Sequence, residues 1–451
     1  MHSDSRTALL HYWLTGMRGG EAVLEELCRM FPAADVYTHA CIPGRISAAI
    51  MSHSIRESLV SRLPMGRTHC QKYLPLMPLA QRQWNFDGCD LIISSESGPV
   101  KGIRKPEDCR HICYCHTPMR YVWDMHEEYY ANAGICGKLA MRIFKNYLRR
   151  YDLKSAECVD TFVANSHFVA ERIKRIYDRD AIVIHPPADV DFFGQAPQLE
   201  RKHYLFAGQL VCYKRPDLAV AAFAKLPKET LLVVGEGPLR KQLEKNASAN
   251  VHFTGWVPRE KLRELYASAK ALIFPGVEDF GIVPVEAMAA GCPVIAMNRG
   301  GTAETIIDFK TGFFMQEQSV ECVLNSIEQT ASMTWSLSLF ERRLLNFTRN
   351  ISENGSWKSY ELFCAAYLSF LISQQTDLFS CRSLSVVQPA AGACGKIAPE
   401  RFDVLVFRSE LVITWRITIV LGSASKTFFS YPLISYIEER LNRVFKLENS
   451  K

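Results

Sequence analysis

The chain has 451 residues, of which 48% are hydrophobic and 22% are charged, and its formal net charge is +6. This length is typical of two or three domains, each large enough to bury its own core. The mild positive charge is too weak to indicate nucleic-acid binding, although it suits anionic small substrates or an anionic membrane surface. The 15 cysteines contain no CxxC pair, which favours free thiols in a reducing compartment over a disulfide framework. The apolar run in residues 1–13 is too short for a signal peptide, and no long uninterrupted apolar stretch predicts a membrane span.

The chain begins with a pattern of strand, glycine loop and helix. Residues 8–12 are predicted to form a buried strand, and Gly19 and Gly20 follow it directly before a segment with helical periodicity. Because glycine lets the backbone come close to a ligand, this loop is a candidate for approach to a phosphate or a sugar. The same pattern also occurs in plain connections, and the GxGxxG order is absent.

Further strands are predicted at 89–94, 111–116 and 161–165. The second of these ends at His116, which precedes a Thr-Pro pair, and the third is followed by Ser166, a predicted helix N-cap. A histidine at a strand end is a candidate for ligand contact, and its alternative is an imidazole that only caps the strand.

Residues 138–154 are predicted to form a basic amphipathic helix, because six basic residues are opposed only by Asp152 and alternate with apolar ones. One interpretation is a solvated surface face. The other is docking to anionic lipid headgroups, which would bring a lipid-linked substrate to the protein.

A second series of strands begins at 203–207 and is followed by Gly208, Lys214 and Arg215. Two cations beside a glycine turn suit a diphosphate, since they neutralise its ground state and the larger charge that develops when it leaves. The alternative is that they are ordinary surface charges before a helix.

The most informative stretch is 271–297, which reads as strand, loop, helix and strand. Glu278 is predicted at the mouth of the loop, and Glu286 in the first turn of a helix over 284–290. Backbone N–H groups between the two carboxylates face the positive end of the helix dipole, where an anion is stabilised. These N–H groups belong to four residues: Phe280, Gly281, Ile282 and Val283. A phosphate site with a carboxylate at each end suits a nucleotide-sugar, whereas two unrelated surface glutamates are the plain alternative.

The segment from Glu278 to Glu286 resembles the Glu-x7-Glu motif of family-4 glycosyltransferases, which have the two-domain GT-B fold. The segment around His116 is similar to that of bacterial enzymes of this family that build cell-surface polysaccharides such as O-antigen, several of which use GDP-mannose. Regular alternation of strands and helices also predicts a doubly wound parallel sheet in each half.

The resemblance implies a role for each matching residue. Glu278 would hold hydroxyls of the donor sugar, Glu286 the ribose, and Lys214 the departing diphosphate, with Gly208 and Arg215 beside it. His116 would contact the donor sugar, and Gly19 and Gly20 would face the donor diphosphate and the acceptor. The acceptor side would be lined by four residues: Arg120, Tyr121, Trp123 and Asp124. Gln209 stands where the family often has Arg, so one expected cation is missing.

The resemblance also implies three segments: an acceptor-side domain at 1–195, a nucleotide-sugar domain at 196–375 with a helix near 357–371 that crosses back, and a tail at 376–451 without a motif. Strands are predicted within 404–420 and a terminal helix at 436–448.

The resulting prediction is a retaining hexosyltransferase that moves a sugar, with mannose from GDP-mannose as the first choice, to a lipid-linked or polysaccharide acceptor. No cofactor and no metal are expected, and the predicted location is the cytoplasm or the inner face of the cytoplasmic membrane. A nucleotide-sugar epimerase on the same fold and a partner subunit without turnover remain alternatives.

Overall fold

The computed structural model describes residues 6–333, 335 and 340, together with 401–407, 410–421 and 424–428. Residues 6–333 fold into two lobes, each built on one parallel sheet. We call them the first and the second lobe.

The first lobe has a seven-stranded parallel sheet in the order β3-β2-β1-β4-β5-β6-β7. The strands are β1 (Thr7–His11), β2 (Asp35–Thr38), β3 (Ile55–Glu57), β4 (Leu91–Glu96), β5 (Arg110–Cys115), β6 (Thr161–Ala164) and β7 (Ala181–Val183). The helices are α1 (Gly19–Met30), α2 (Ala48–Met51), α3 (Met77–Ala80), α4 (His126–Asn132), α5 (Ile135–Ala156) and α6 (His167–Tyr177). The chain then forms α7 (Val190–Gly194), which packs in the core of the second lobe. Four 3-10 helices also lie in this part of the chain: Pro43–Arg45, Leu59–Arg62, Cys70–Leu76 and Gln81–Gln83.

The second lobe has a six-stranded parallel sheet in the order β10-β9-β8-β11-β12-β13. The strands are β8 (His203–Ala207), β9 (Leu231–Val234), β10 (Val251–Gly255), β11 (Ala269–Phe274), β12 (Val294–Met297) and β13 (Gly312–Met315). The helices are α8 (Pro216–Phe223), α9 (Arg240–Asn246), α10 (Arg259–Ala267), α11 (Ile282–Ala289), α12 (Thr302–Thr305) and α13 (Val320–Ala331), with a 3-10 turn at Cys212–Lys214.

Both sheets are buried on both faces, as expected when helices cover a parallel sheet. In β1, Leu9 packs in the cluster that includes Leu24 of α1, whereas its neighbour Leu10 packs in a cluster on the opposite face. This alternation follows from the two-residue period of a strand. Cys113 and Cys115, two residues apart in β5, likewise share one buried cluster.

The strand order of each sheet reverses direction once, between β1 and β4 in the first lobe and between β8 and β11 in the second. Ligands of doubly wound sheets bind outside the carboxyl ends of the strands at such a switch point. The segments that follow these four strands therefore mark where a ligand is expected. They include Gly19, Gly20, Gly208, Lys214 and the loop that carries Glu278.

Three antiparallel strands, β14 (Arg401–Phe407), β15 (Glu410–Leu421) and β16 (Ala424–Phe428), belong to a separate unit of the chain, Leu368–Lys451. They agree with the strands predicted within 404–420. The helices predicted at 357–371 and 436–448 lie outside the described residues, and the predicted domain limits stay predictions. Within the described residues, no helix combines the length and apolar character that a membrane span requires.

Candidate functional site

Lys214 and Glu278 meet at the switch point of the second lobe. The Nζ atom of Lys214 lies 2.9 Å from Oε1 of Glu278, and both side chains are half-buried. Gly208 adjoins them, since a Cβ atom built on it would lie 3.4 Å from Lys214 Nζ. These three predicted donor-site residues come from the carboxyl ends of β8 and β11, so the sheet topology brings them together.

The helix after this loop begins earlier than the sequence predicts. It starts at Ile282, with Gly281 as the residue before it at φ +87°. Glycine adopts this left-handed conformation at little cost, so the chain can turn sharply into the helix. Pro284 still lies in the first turn, where its missing N–H is harmless. The prediction that Glu286 lies in the first turn is wrong: it lies in the second.

Glu286 occupies an apolar environment at the other end of the motif. Burial, and the neighbouring carboxylate of Asp189, raise the pKa of Glu286 to about 8, although Arg259 opposes the shift. Arg259 itself is bonded to Asp189 at 2.5 Å. Near neutral pH, Glu286 is therefore largely protonated.

The side chain of Phe280 does not face the donor site. It is buried in the core of the second lobe and stacks on His185 of the first lobe, with ring centroids 5.1 Å apart. Only the backbone of Phe280 remains available for the predicted role. Ile282 reaches across the cleft instead, because its Cδ1 atom would lie 2.9 Å from a Cβ atom on Gly19. A larger residue at position 19 would have to displace the side chain of Ile282.

His116 lies at the end of β5 and faces the glycine loop of the first lobe. Its Nε2 atom is 2.9 Å from Ser95 Oγ and would lie 3.4 Å from a Cβ atom on Gly20. Burial, and to a smaller extent His11 and Arg120, lower the pKa of His116 to about 3. The ring is therefore neutral and can exchange hydrogen bonds, but it carries no positive charge for a phosphate.

The four residues predicted for the acceptor side separate into two groups. Arg120 faces the second lobe: it pairs with Asp279 at 3.2 Å and lies 5.0 Å above the ring of Tyr213. Asp124 lines a cavity between the lobes, where it pairs with Arg172 at 2.7 Å.

Tyr121 and Trp123 point into the first lobe, which corrects the prediction that they line the acceptor side. Both pack on the apolar cluster that contains Leu148 of α5, and the Oη atom of Tyr121 is buried. Trp123 donates from Nε1 to Asp152 at 2.7 Å. The apolar character of these two rings decides their direction, since the core offers them the larger contact.

Arg215 is also placed apart from the donor site. Its guanidinium binds Asp217 at 2.9 Å, and the residue adopts φ +53° at the end of the 3-10 turn. Tyr213 and Arg215 line the interlobe cavity of about 940 Å³, whereas Lys214 between them does not. In this structure Arg215 is thus paired with Asp217, and its predicted role at the diphosphate stays a prediction.

A network around Asp279 ties the two lobes together, and sequence reasoning missed it. One carboxylate oxygen accepts from Arg172 at 2.6 Å, the other pairs with Arg120, and its backbone carbonyl accepts from Ser166 Oγ at 2.5 Å. Arg172 also donates to Thr117, next to His116. Asp279 lies between the two motif glutamates, so a signal was present, but only the fold reveals its partners.

Glu304 forms a second link between the lobes. Its carboxylate accepts from the backbone N–H groups of His167 and Phe168 at 2.9 and 2.8 Å, at the first turn of α6. A carboxylate at this position complements the helix dipole. The side chain of Glu304, in the second lobe, thus binds the first lobe.

Comparison with known proteins agrees with this arrangement. The profile described as Glycosyltransferase Family 4 matches residues 17–192, and that described as Glycosyl transferases group 1 matches residues 188–338. The chain belongs to the family-4 glycosyltransferases. The predicted family and the predicted GT-B fold are both confirmed.

Curated relatives of this family align over part of the chain. The alpha-1,3/1,6-mannosyltransferase alg2 of Schizosaccharomyces pombe is 29% identical over 321 residues, 60% of this chain and 60% of that protein. The GDP-mannose-dependent alpha-(1-6)-phosphatidylinositol monomannoside mannosyltransferase of Mycolicibacterium smegmatis is 30% identical over 38% of this chain and 52% of that protein. The D-inositol 3-phosphate glycosyltransferase of Mycobacteroides abscessus is 25% identical over 47% of this chain and 58% of that protein. The chain thus spans little more than half the length of each.

Solved structures show the same fold over more of the chain. The sucrose-phosphate synthase of Thermosynechococcus elongatus superposes with a TM-score of 0.61 at 19% identity, covering 82% of this chain and 99% of that one. HepE of Anabaena, in complex with UDP and glucose, gives a TM-score of 0.55 at 16% identity, covering 80% of this chain and 99% of that one.

Proposed function

We propose that this family-4 glycosyltransferase is a retaining enzyme that transfers mannose from GDP-mannose to a lipid-linked or polysaccharide acceptor. The observation that carries the proposal is the Lys214–Glu278 pair at 2.9 Å, at the switch point of the second lobe. Two relatives are named as mannosyltransferases, one of them GDP-mannose-dependent, which supports the choice of donor.

In the proposed reaction, the donor nucleotide binds the second lobe with its diphosphate at Lys214 and at the N–H groups that begin α11. Lys214 then leaves Glu278 for the diphosphate as the bond to the sugar breaks, and its charge stabilises the leaving group. Glu278 accepts hydrogen bonds from sugar hydroxyls, and Glu286 binds the ribose.

Neither glutamate acts as a nucleophile in this proposal. The acceptor attacks on the face from which the diphosphate departs, and a phosphate oxygen takes the proton of its hydroxyl, so the configuration at the anomeric carbon is retained. The cleft between the lobes keeps water away from the reacting carbon.

The first experiment is titration of the protein with GDP, UDP and ADP, followed by GDP-mannose, UDP-glucose and other nucleotide-sugars. GDP and GDP-mannose are expected to bind most tightly, with slow hydrolysis of the donor in the absence of an acceptor. Tighter binding of UDP would overturn the donor assignment. Isomerisation of the sugar-nucleotide without an acceptor would identify an epimerase, and binding without hydrolysis or transfer would identify a partner subunit.

We further propose that α5 docks on an anionic membrane surface and so brings a lipid-linked acceptor to the cleft. Three apolar side chains on this helix are strongly exposed: Ile135 (88%), Leu139 (60%) and Ile143 (60%). Exposed Arg142 and Arg150 accompany them. Exposed apolar residues beside cations fit an interface of anionic headgroups and acyl chains.

The choice of variants follows from the contacts of α5. Arg149 donates to the backbone carbonyl of Val122 at 2.6 Å and lies 4.8 Å above the ring of Trp123, so its replacement would disturb the first lobe itself. Arg142 and Arg150 are better targets, because both are exposed.

The membrane proposal is tested by sedimentation with vesicles of phosphatidylglycerol and phosphatidylcholine. The double variant Arg142→Glu, Arg150→Glu should lose binding at least tenfold, since each basic residue near such a surface contributes about 1 kcal/mol. The matched control is Lys241→Glu, Lys245→Glu on the exposed face of α9 in the second lobe, which makes the same charge change. Equal binding by the two double variants would overturn the proposal.

A further inference from the structure

Two adjacent serines of β4, Ser94 and Ser95, each lie within hydrogen-bond distance of a histidine in or directly after β5. Ser94 Oγ lies 2.8 Å from His111 Nε2, and Ser95 Oγ lies 2.9 Å from His116 Nε2. Adjacent residues of a strand point to opposite faces of the sheet, so the pairs lie on opposite faces. Both serines are fully buried.

In the pair at His111, a backbone carbonyl group fixes which ring nitrogen carries the proton. His111 Nδ1 is 3.0 Å from the carbonyl oxygen of Cys158, which can only accept. Nδ1 therefore carries the proton, Nε2 is the acceptor, and Ser94 donates to it. Burial lowers the pKa of His111 to about 4, so the ring stays neutral and its hydrogen bonds are complete.

The pair at His116 is arranged in the opposite sense. Ser95 Oγ has a second neighbour, the backbone carbonyl oxygen of Gly20 at 3.5 Å. A serine hydroxyl has one hydrogen, and the carbonyl can only accept it. When Ser95 donates to Gly20, its oxygen accepts from Nε2–H of His116. In this arrangement both neighbours of Ser95 are hydrogen-bonded to it, whereas donation to Nε2 would leave its contact with Gly20 without a proton.

The other nitrogen of His116 is then an acceptor. Nδ1 makes no hydrogen bond with any of the residues that the structure describes, and it is not among their buried polar atoms. The ring is half-buried, so Nδ1 is open to solvent at the site. Burial keeps the ring neutral, so it carries one N–H proton. The nitrogen that bears this proton is a donor, and the other nitrogen is an acceptor.

We infer that Ser95 is a positioning residue that holds the proton of His116 on Nε2, so that Nδ1 accepts a hydrogen bond from a hydroxyl group of the bound donor sugar. The second half of this inference rests on the proposed function, because it requires a sugar beside His116. The first half concerns the tautomer of His116 and stands without any substrate.

The tautomer is measured by nitrogen NMR on protein labelled in its histidine side chains, with the His116→Gln variant to assign the signal. Wild type should show the proton on Nε2. Ser95→Ala should shift the signal toward the other tautomer or toward a mixture, and Ser95→Thr should restore it. Ser94→Ala, the matched control, should leave the His116 signal unchanged. A proton on Nδ1 in wild type, or an unchanged tautomer in Ser95→Ala, would overturn the inference.

Kinetics test the contact with sugar. In Ser95→Ala we expect the KM for the sugar donor to rise roughly fivefold, the loss of one hydrogen bond, while GDP binds as before. Ser95→Thr should recover the wild-type KM, and Ser94→Ala should keep it. A changed tautomer with an unchanged KM would overturn the contact with sugar. A wild-type protein without turnover on any donor would overturn the proposed function instead, while the tautomer would still decide the role of Ser95.

Discussion

The two ends of the Glu-x7-Glu segment hold the same residue type in opposite surroundings. Glu278 lies in a loop with the ammonium group of Lys214 at 2.9 Å. Glu286 lies in a helix with apolar neighbours, and burial raises the pKa of its carboxyl group to about 8. One end is thus a charged pair, whereas the other is a mostly neutral carboxyl group.

This difference indicates that the two ends of the segment have different roles. The pair at Glu278 contains a cation that can move to a phosphate when charge develops, so it suits a role in the chemical step. Arg259, the cation that acts on Glu286, is bonded to Asp189, so Glu286 is better suited to binding the ribose than to releasing a cation. We therefore expect substitutions at the first end to affect turnover and those at the second to affect binding.

The middle of the segment should show the largest effect, because Asp279 links the two lobes through Arg172, Arg120 and Ser166. Asp279→Ala leaves the buried Arg172 without the carboxylate that lies 2.6 Å from it. Removing one partner of a buried ion pair costs up to about 3 kcal/mol, and Arg172 keeps its second partner, Asp124. The urea midpoint of unfolding is expected to fall accordingly, together with turnover.

The control for this prediction is Asp217→Ala, which breaks the exposed pair with Arg215. Exposed pairs contribute about 0–1 kcal/mol, so the midpoint should barely move. Equal shifts in the two variants would mean that Asp279 does not link the lobes in solution.

The charged end is tested by Lys214→Met. We expect kcat to fall about a hundredfold, as when one stabilising group is removed from a developing oxyanion, whereas the Kd for GDP should change much less. Lys225→Met removes an exposed lysine that pairs with Glu321 and serves as the control. A variant at Lys214 that keeps a third of its turnover would contradict the proposed role.

The neutral end is tested by the pH dependence of Glu286. Its pKa is higher in the folded protein than in the unfolded chain, so between about pH 4.5 and pH 8 the folded state binds more protons and stability falls as pH rises. The accumulated loss by pH 8 is on the order of a few kcal/mol. Glu286→Gln should reduce this slope, as measured by thermal unfolding of the nucleotide-free protein at several pH values.

The same variant separates ribose binding from structure. If ribose hydroxyls prefer the ionised carboxylate, GDP binds more tightly as pH rises from 7 to 9, because Glu286 must lose its proton when GDP binds. Calorimetry in buffers of different ionisation enthalpy detects the released protons. Glu286→Gln should remove both effects and weaken binding about tenfold. Proton uptake instead of release would show that the neutral form binds the ribose.

Local patterns were sufficient to predict most of the fold. The predicted strand at 203–207 matches β8 residue for residue, because a strand buried on both faces is continuous in sequence. The predicted N-cap of α6 is also confirmed, because the side chain of Ser166 accepts a hydrogen bond from the backbone N–H of Val169. The start of α11 was missed because Gly281 can either end a loop or begin a helix.

The site was less predictable, because its contacts join residues far apart in the chain. Arg172 and Asp279 are separated by 107 positions, and nothing local marks either as a partner of the other. Trp123 was predicted at the cleft from its place after His116, but its ring packs on the cluster with Leu148 and its Nε1–H donates to Asp152 of α5. Only the packed lobe reveals these contacts.

The smallest effect on turnover is expected for Arg215→Ala, in contrast to the large loss expected when its neighbour Lys214 is replaced. The sequence assigns both cations to the diphosphate, but the guanidinium of Arg215 binds Asp217 and lines the interlobe cavity. Because the exposed pair contributes at most about 1 kcal/mol, kcat and the Kd for GDP should both stay within about twofold of wild type. A tenfold loss of GDP affinity would mean that Arg215 leaves Asp217 when the nucleotide binds. In that case, the charge at the first end of the motif would be shared by two residues, and Lys214 alone could not account for it.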